Sequence, residues 1–169
     1  MIKKYFLMAF ISMFIMQGCT THDDYTIIEE ATNPVIEITT TFSASNSFKR
    51  LVTISPPIYN SDLILVYHLY DVYQGTDIWR LMPQKYYLEN NRELDYNFDF
   101  TKYDVSLFLE ANFDMTTLDP VWTNNQTFRI MILPGYFSKK STQNVNFEDY
   151  NATMKAFNIN PLNIKKIKL

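Results

Sequence analysis

From Val35 onward the apolar residues recur with a period of two, and that spacing restricts most of the chain to extended elements. Leu94, Tyr96, Phe98 and Phe100 alternate with Glu93, Asp95, Asn97 and Asp99, the pattern of a strand with one buried face and one wet face. Ile36, Ile38, Thr40 and Phe42 repeat the pattern, as do Val105, Leu107 and Leu109, and Phe128, Ile130 and Ile132. Residues 63–72 differ, being apolar on both faces, and are expected to form a central strand. Residues 48–54, 78–82 and 86–88 supply shorter candidates. Pro56-Pro57, Gln74-Gly75, Asn90-Asn91, Asp119-Pro120 and Pro134-Gly135 punctuate the intervals. The expectation is an all-β fold, an antiparallel β-sandwich of seven to eight strands.

One segment breaks the period. Phe147, Tyr150, Met154 and Phe157 recur at three or four residues, with Asn146 available as an N-cap, which predicts one short C-terminal helix before Pro161. Residues 162–169 carry Lys165, Lys166 and Lys168 and read as a last edge strand, where lysine discourages unwanted pairing.

The N-terminus follows other rules. Met1-Ile2-Lys3-Lys4 precedes an apolar run over residues 5–16, then Gln17, Gly18 and Cys19. A basic start, about a dozen apolar residues and a small residue before the cut describe a secretory signal, too short for the roughly 20 residues of a membrane span. Met16-Gln17-Gly18-Cys19 resembles a bacterial lipobox, which implies cleavage before Cys19 and lipidation of its thiol. Leu is usual where Met16 stands, and Gln17 is bulkier than the common Ser or Ala. Cys19 is the only cysteine, so an intramolecular disulfide is excluded.

Residues 20–34 hold four acids, no Lys or Arg and no Gly, and end at Asn33-Pro34, where the residue before proline is forced toward extended backbone. The expected organisation is thus a signal peptide over residues 1–18, a lipidated Cys and acidic tether over 19–34, and one domain over 35–169. Loss of residues 1–18 removes Lys3 and Lys4 and no acid, so a net charge of −3 becomes −5. That balance argues against a nucleic-acid partner. Asp23-Asp24 resembles the acidic signal that sends some lipoproteins to the cell surface, and Thr20 after the Cys resembles outer-membrane rather than inner-membrane sorting. The expected partner is therefore a membrane, reached through the lipid.

Few residues carry the patterns that chemistry needs. The domain holds a single histidine, His68, between Tyr67 and Leu69 on the most apolar strand, and the expectation is a buried side chain with one hydrogen bond. No Gly-x-Ser-x-Gly, Walker loop or His-Glu-x-x-His occurs. Asp95 and Asp99 fall on the wet face of a strand, where carboxylates serve solubility. Asn112-Phe113-Asp114-Met115-Thr116 has oxygen donors but not the Gly and terminal Glu of a calcium loop, so turn chemistry is expected. No catalytic residue, cofactor or metal ligand is expected. The aromatics remain as candidate ligand-binding residues: Trp79, Tyr86 and Trp122, able to stack on a sugar ring or anchor a protein.

The strings at residues 79–88, 96–101, 112–114 and 125–130 follow one another as in a family of small bacterial surface lipoproteins of uncharacterised function. Some members of that family carry a collagen-like Gly-rich linker, which is missing from the tether here. The resemblance spans residues 35–159 and implies no catalytic residues. A looser resemblance links the domain to immunoglobulin and fibronectin type III sandwiches, in which Thr101-Lys102-Tyr103-Asp104-Val105 would open the sixth strand with a Tyr pinning the corner. Together these readings imply a non-enzymatic, lipid-anchored outer-membrane protein facing outward, acting as a structural or binding module. A carbohydrate-binding accessory lipoprotein is the alternative.

Overall fold

The computed structural model describes residues 34–135 and 145–169. The segments expected to form a signal peptide and an acidic tether, with Cys19 between them, lie outside the described residues up to residue 33. Among the described residues the chain forms nine strands and one α-helix. They are β1 (Val35–Thr40), β2 (Lys49–Thr53), β3 (Leu63–Tyr73), β4 (Thr76–Leu81), β5 (Gln84–Leu88), β6 (Arg92–Phe100), β7 (Asp104–Ala111), β8 (Gln126–Leu133), α1 (Tyr150–Ala156) and β9 (Lys165–Lys168). The strand count exceeds the expected seven to eight because the short candidate around residues 86–88 and the lysine-rich tail both pair as strands.

Two sheets face each other, one ordered β4-β3-β8-β1-β9 and the other β2-β7-β6-β5. Every pairing is antiparallel except β9 on β1, where Ile36 to Thr39 run parallel to Lys165 to Lys168. The turns use the residues that their geometry demands. Gln74 and Gly75 both take positive φ, 49° and 77°, giving the two-residue hairpin between β3 and β4. Asn90 and Asn91 take φ of 59° and 58° in the β5–β6 turn, a backbone region that asparagine tolerates.

The space between the sheets is filled by the alternate residues read from the sequence: Ile36 and Ile38, Ile64 and Val66, Leu94 and Tyr96, Val105 to Leu109, and Phe128 to Ile132. Burying each large apolar side chain contributes about 1.5–3 kcal/mol. The opposite face of the five-stranded sheet is also covered. Val35, Leu65, Tyr67, Trp79, Met131 and Leu133 pack there against Tyr150 and Met154 of α1, with Ile159 and Ile164, as a second core. The molecule is therefore a sandwich with a helix on one outer face. β8 is buried along its length from Phe128 to Leu133 for this reason.

Two expectations need correction. Helix α1 is capped by Asp149, whose carboxylate accepts from the Ala152 amide at 2.9 Å, while Asn146 accepts from Glu148 in the preceding turn. Tyr103 does not pin a corner: its ring is 51% exposed, with Lys102 Nζ 4.8 Å from the centroid. That arrangement lacks the buried tyrosine of an immunoglobulin-type corner.

Beneath α1 lies a buried charge cluster. Arg129 Nε and Nη2 donate to Glu37 Oε2 at 3.0 and 2.8 Å, and Arg129 Nη1 donates to the Tyr150 hydroxyl. Lys166 closes on the other Glu37 oxygen at 2.9 Å, a consequence of its register opposite Glu37 on β9. The Arg129 guanidinium also lies 4.0 Å from the Trp79 ring centroid. Burial pushes the Glu37 carboxyl up, but hydrogen bonds from Lys166 and Arg129 outweigh it and hold the group below its ordinary value.

Candidate ligand-binding cleft

β3 runs from a buried half to an exposed one. Ile64 to His68 are buried, whereas Tyr70 to Tyr73 are exposed. The register explains this: His68 is opposite Phe128, only two residues from the start of β8, so the β3–β4 ribbon continues past the end of its neighbour. The overhanging ribbon forms one wall of a cleft of about 230 Å³. Tyr86 of β5 and Tyr96 of β6 form the opposing wall, and Val121 and Trp122, in a short 3₁₀ turn before β8, close one side. His68 and Gln126 complete the lining, with Asp71 in the overhang.

The rings meet at steep angles. Tyr86 is tilted 59° to Trp122 with centroids 5.1 Å apart, and 78° to Tyr96 at 5.5 Å. Tyr70 lies nearly parallel to Tyr86, with 6.2 Å between centroids. Arg80, directly across from His68 on β4, places its guanidinium 3.3 Å from the Tyr70 ring centroid. Such a contact is a favourable cation–π arrangement. Tyr96 is held by its hydroxyl, which donates to the Trp122 carbonyl at 2.5 Å and so ties the 3₁₀ turn to β6.

His68 is 4% exposed and packs face-on against Tyr96 and Phe128, at 4.4 and 4.9 Å between centroids. Its Nε2 lies 2.9 Å from Gln126 Oε1. The Gln126 amide nitrogen donates to the carbonyls of Val121 at 2.8 Å and Asn124 at 3.0 Å. Oε1 is therefore the acceptor, Nε2 carries the proton, and Nδ1 presents a lone pair. That buried Nδ1 has no hydrogen-bond partner. Burial pushes the imidazole down to about 4; the Gln126 contact opposes this and the Arg80 charge adds to it. Burial likewise raises Tyr96 and Tyr86 above the ordinary phenol value, with Arg80 working against the shift at Tyr86.

The three aromatic candidates separate. Tyr86 and Trp122 converge on the cleft, each half-buried. Trp79 does not: it is 8% exposed and belongs to the second core, against Tyr150 and under Arg129. The reason is local. Trp79 and Arg80 are neighbours on β4, so their side chains point to opposite faces, and α1 covers the face that Trp79 takes. Neither do Tyr86 and Trp122 form a flat platform, since their planes are far from parallel. The cleft residues that sequence reasoning missed are Tyr70, Asp71, Tyr96 and Gln126. A weak signal for two of them was present, because the apolar character of residues 63–72 changes to Tyr-Asp after Leu69.

Elsewhere the polar side chains serve structure. Lys85 bridges Glu93 at 2.8 Å and Asp95 at 3.3 Å across β5 and β6. The Asp114 carboxylate accepts from the amide and hydroxyl of Thr116, at 2.9 and 2.8 Å, and these bonds hold it below its ordinary value. Among the described residues no three His, Cys, Asp or Glu side chains converge in a metal-holding group. Compared with family models, curated proteins and solved structures, the chain matches none.

Proposed function

We propose that this protein is a lipid-anchored module of the bacterial outer membrane, facing outward, that acts by binding rather than by catalysis, and that the aromatic cleft is its site. The anchor reading rests on the lipobox-like Met16-Gln17-Gly18-Cys19 and the acidic tether behind it. Several acyl chains at about 0.8 kcal/mol per buried CH₂ hold such a chain on a bilayer. The binding reading rests on one observation: Trp122 and Tyr86 pack against the edge of the main core yet stay only half-buried, and both line a concave site. Concave, mostly apolar sites with a few converging polar groups are where small ligands bind.

The two halves are tested separately. Cys19→Ala is expected to move the protein from the membrane to the soluble fraction. Protease treatment of intact cells is expected to degrade the wild-type domain; complete protection would place it inward. For the cleft, the two tryptophans allow a direct experiment. The full-length protein is labelled with 5-fluorotryptophan and kept in a sugar-free zwitterionic detergent. It gives two fluorine resonances, one from the cleft and one from the second core. Mixtures of sugars, amino acids, amines and nucleosides are then added. At least one compound is expected to shift the Trp122 resonance while leaving Trp79 in place. A silent Trp122 across the whole panel would leave only a structural role in the envelope.

A further inference from the structure

The edge of a β-sheet offers unpaired backbone groups, and proteins commonly guard it with lysine. The two sheets have four edge strands, and β2, β5 and β9 each carry lysine. The fourth, β4, reads Thr-Asp-Ile-Trp-Arg-Leu and carries none. Its one base, Arg80, is already stacked on the Tyr70 ring.

The register shows which groups β4 leaves open. In an antiparallel ladder, opposed residues alternate between pairs that exchange both hydrogen bonds and pairs that exchange none. The Met82 amide donates to the Val66 carbonyl at 2.8 Å, so the bonded pairs are Met82 with Val66 and Arg80 with His68. Leu81 and Trp79, opposite Tyr67 and Leu69, therefore turn their N–H and C=O groups away from β3. The Leu81 carbonyl is taken by the Gln84 side-chain amide at 2.6 Å. The Trp79 N–H, the Trp79 C=O and the Leu81 N–H have no partner among the described residues.

This edge borders an open groove of about 470 Å³. Residues 79–84 and Glu148, just ahead of α1, line it, and it shares no residue with the aromatic cleft. In a strand laid along β4, the residue opposed to Trp79 points to the same face as Trp79, the face that α1 covers. Glu148 stands on that side, exposed and with no cation beside it among the described residues. Its charge favours lysine or arginine at that position of the incoming strand. A second copy of β4 offers neither, since it would bring Asp77 to the same face and keep Arg80 stacked on Tyr70.

We propose that the free edge of β4 binds an extended segment of a partner protein by strand addition, with the open groups of Trp79 and Leu81 pairing with its backbone and Glu148 receiving a lysine or arginine side chain. The site stands whether or not the aromatic cleft takes a ligand.

The test uses the full-length protein, labelled with nitrogen-15 and held in zwitterionic detergent. The probes are blocked heptapeptides of alternating Thr and Val with lysine, glutamate or backbone-N-methylated lysine at the centre. The lysine peptide is expected to slow deuterium exchange at the Trp79 and Leu81 amides by about tenfold or more, and to leave the Arg80 amide, already bonded within the ladder, unchanged. The glutamate peptide is expected to bind about fivefold more weakly and the N-methylated peptide about tenfold more weakly. Glu148→Lys alters an exposed side chain and is expected to reverse the preference between lysine and glutamate. Equal binding of those two peptides to both the wild type and the variant overturns the basic partner. Binding that leaves the Trp79 and Leu81 amides in fast exchange overturns strand addition. Protection of both amides without peptide, growing with protein concentration, assigns the edge to a second copy and overturns the foreign partner. No binding by any peptide overturns the site.

Discussion

Replacing Arg129 by methionine is expected to destabilise the domain by about 3–5 kcal/mol, the cost of leaving a buried charge without its partner. Arg129 and Glu37 have side-chain exposures of 8% and 9%, and the guanidinium makes two bonds to one carboxylate oxygen. The variant would leave Glu37 with only Lys166, whose own side chain is 69% exposed, and would remove the donor to the Tyr150 hydroxyl. The companion experiment is the double variant Glu37→Met with Arg129→Met. Apolar replacement of a whole buried pair is often neutral or stabilising, so the double variant is expected to recover most of the loss. Urea unfolding of the single and double variants measures the difference. A double variant as unstable as Arg129→Met would show that the pair supplies packing geometry that methionine cannot.

Acid is expected to remove about 3 kcal/mol through His68 alone, from the span between its ordinary value of 6.5 and the folded value of about 4. The sign follows from which state takes the proton. Below 6.5 the unfolded chain protonates His68 and the folded chain does not, so protonation favours unfolding. Stability is unaffected by this residue above about pH 7, declines as the pH falls toward 4, and levels off below it. Glu37 acts in the same direction at lower pH: its folded value is depressed, so its stabilisation is present above the ordinary carboxylate range and lost as the pH falls through the folded value. His68→Phe is expected to flatten the upper part of the profile only. Unfolding free energies measured at pH 7, 5.5 and 4 check this, and an unchanged slope in the variant would remove His68 as the cause.

The sandwich was legible because its strands obey simple alternation. Leu94 and Tyr96, or Phe128 and Ile130, could face a core only if Asp95 and Arg129 turned the other way. The partner of that other face was not legible. Alternation shows that Arg129 and Met131 share a face, but not that α1 returns to cover it, since that depends on tertiary packing far along the chain. The burial of Trp79 in the second core was not legible for the same reason. Parallel pairing of β9 with β1 is a matter of topology, and nothing in Lys-Lys-Ile-Lys specifies its direction. The cleft was half legible: Tyr86 and Trp122 stand out by residue type, whereas Tyr96 reads as an ordinary core residue. Its role emerges only from a hydroxyl that reaches the Trp122 carbonyl, 26 positions away in the chain.

The strand register also fixes how the domain would carry load. Val35 opens β1 beside Met131, and Leu63 stands beside Leu133, so the chain enters the domain at that end. His68, Gln126 and the overhanging ribbon lie at the other end. Under the anchoring and binding proposed above, with Cys19 fixed at a bilayer and a ligand held in the cleft, tension would run lengthwise along β1. That strand is flanked by β8 and β9, with hydrogen bonds perpendicular to its axis. Pulling would shear its six pairs with β8 together instead of unzipping them one at a time. A load between the Val35 end and the distal cleft would thus be resisted collectively.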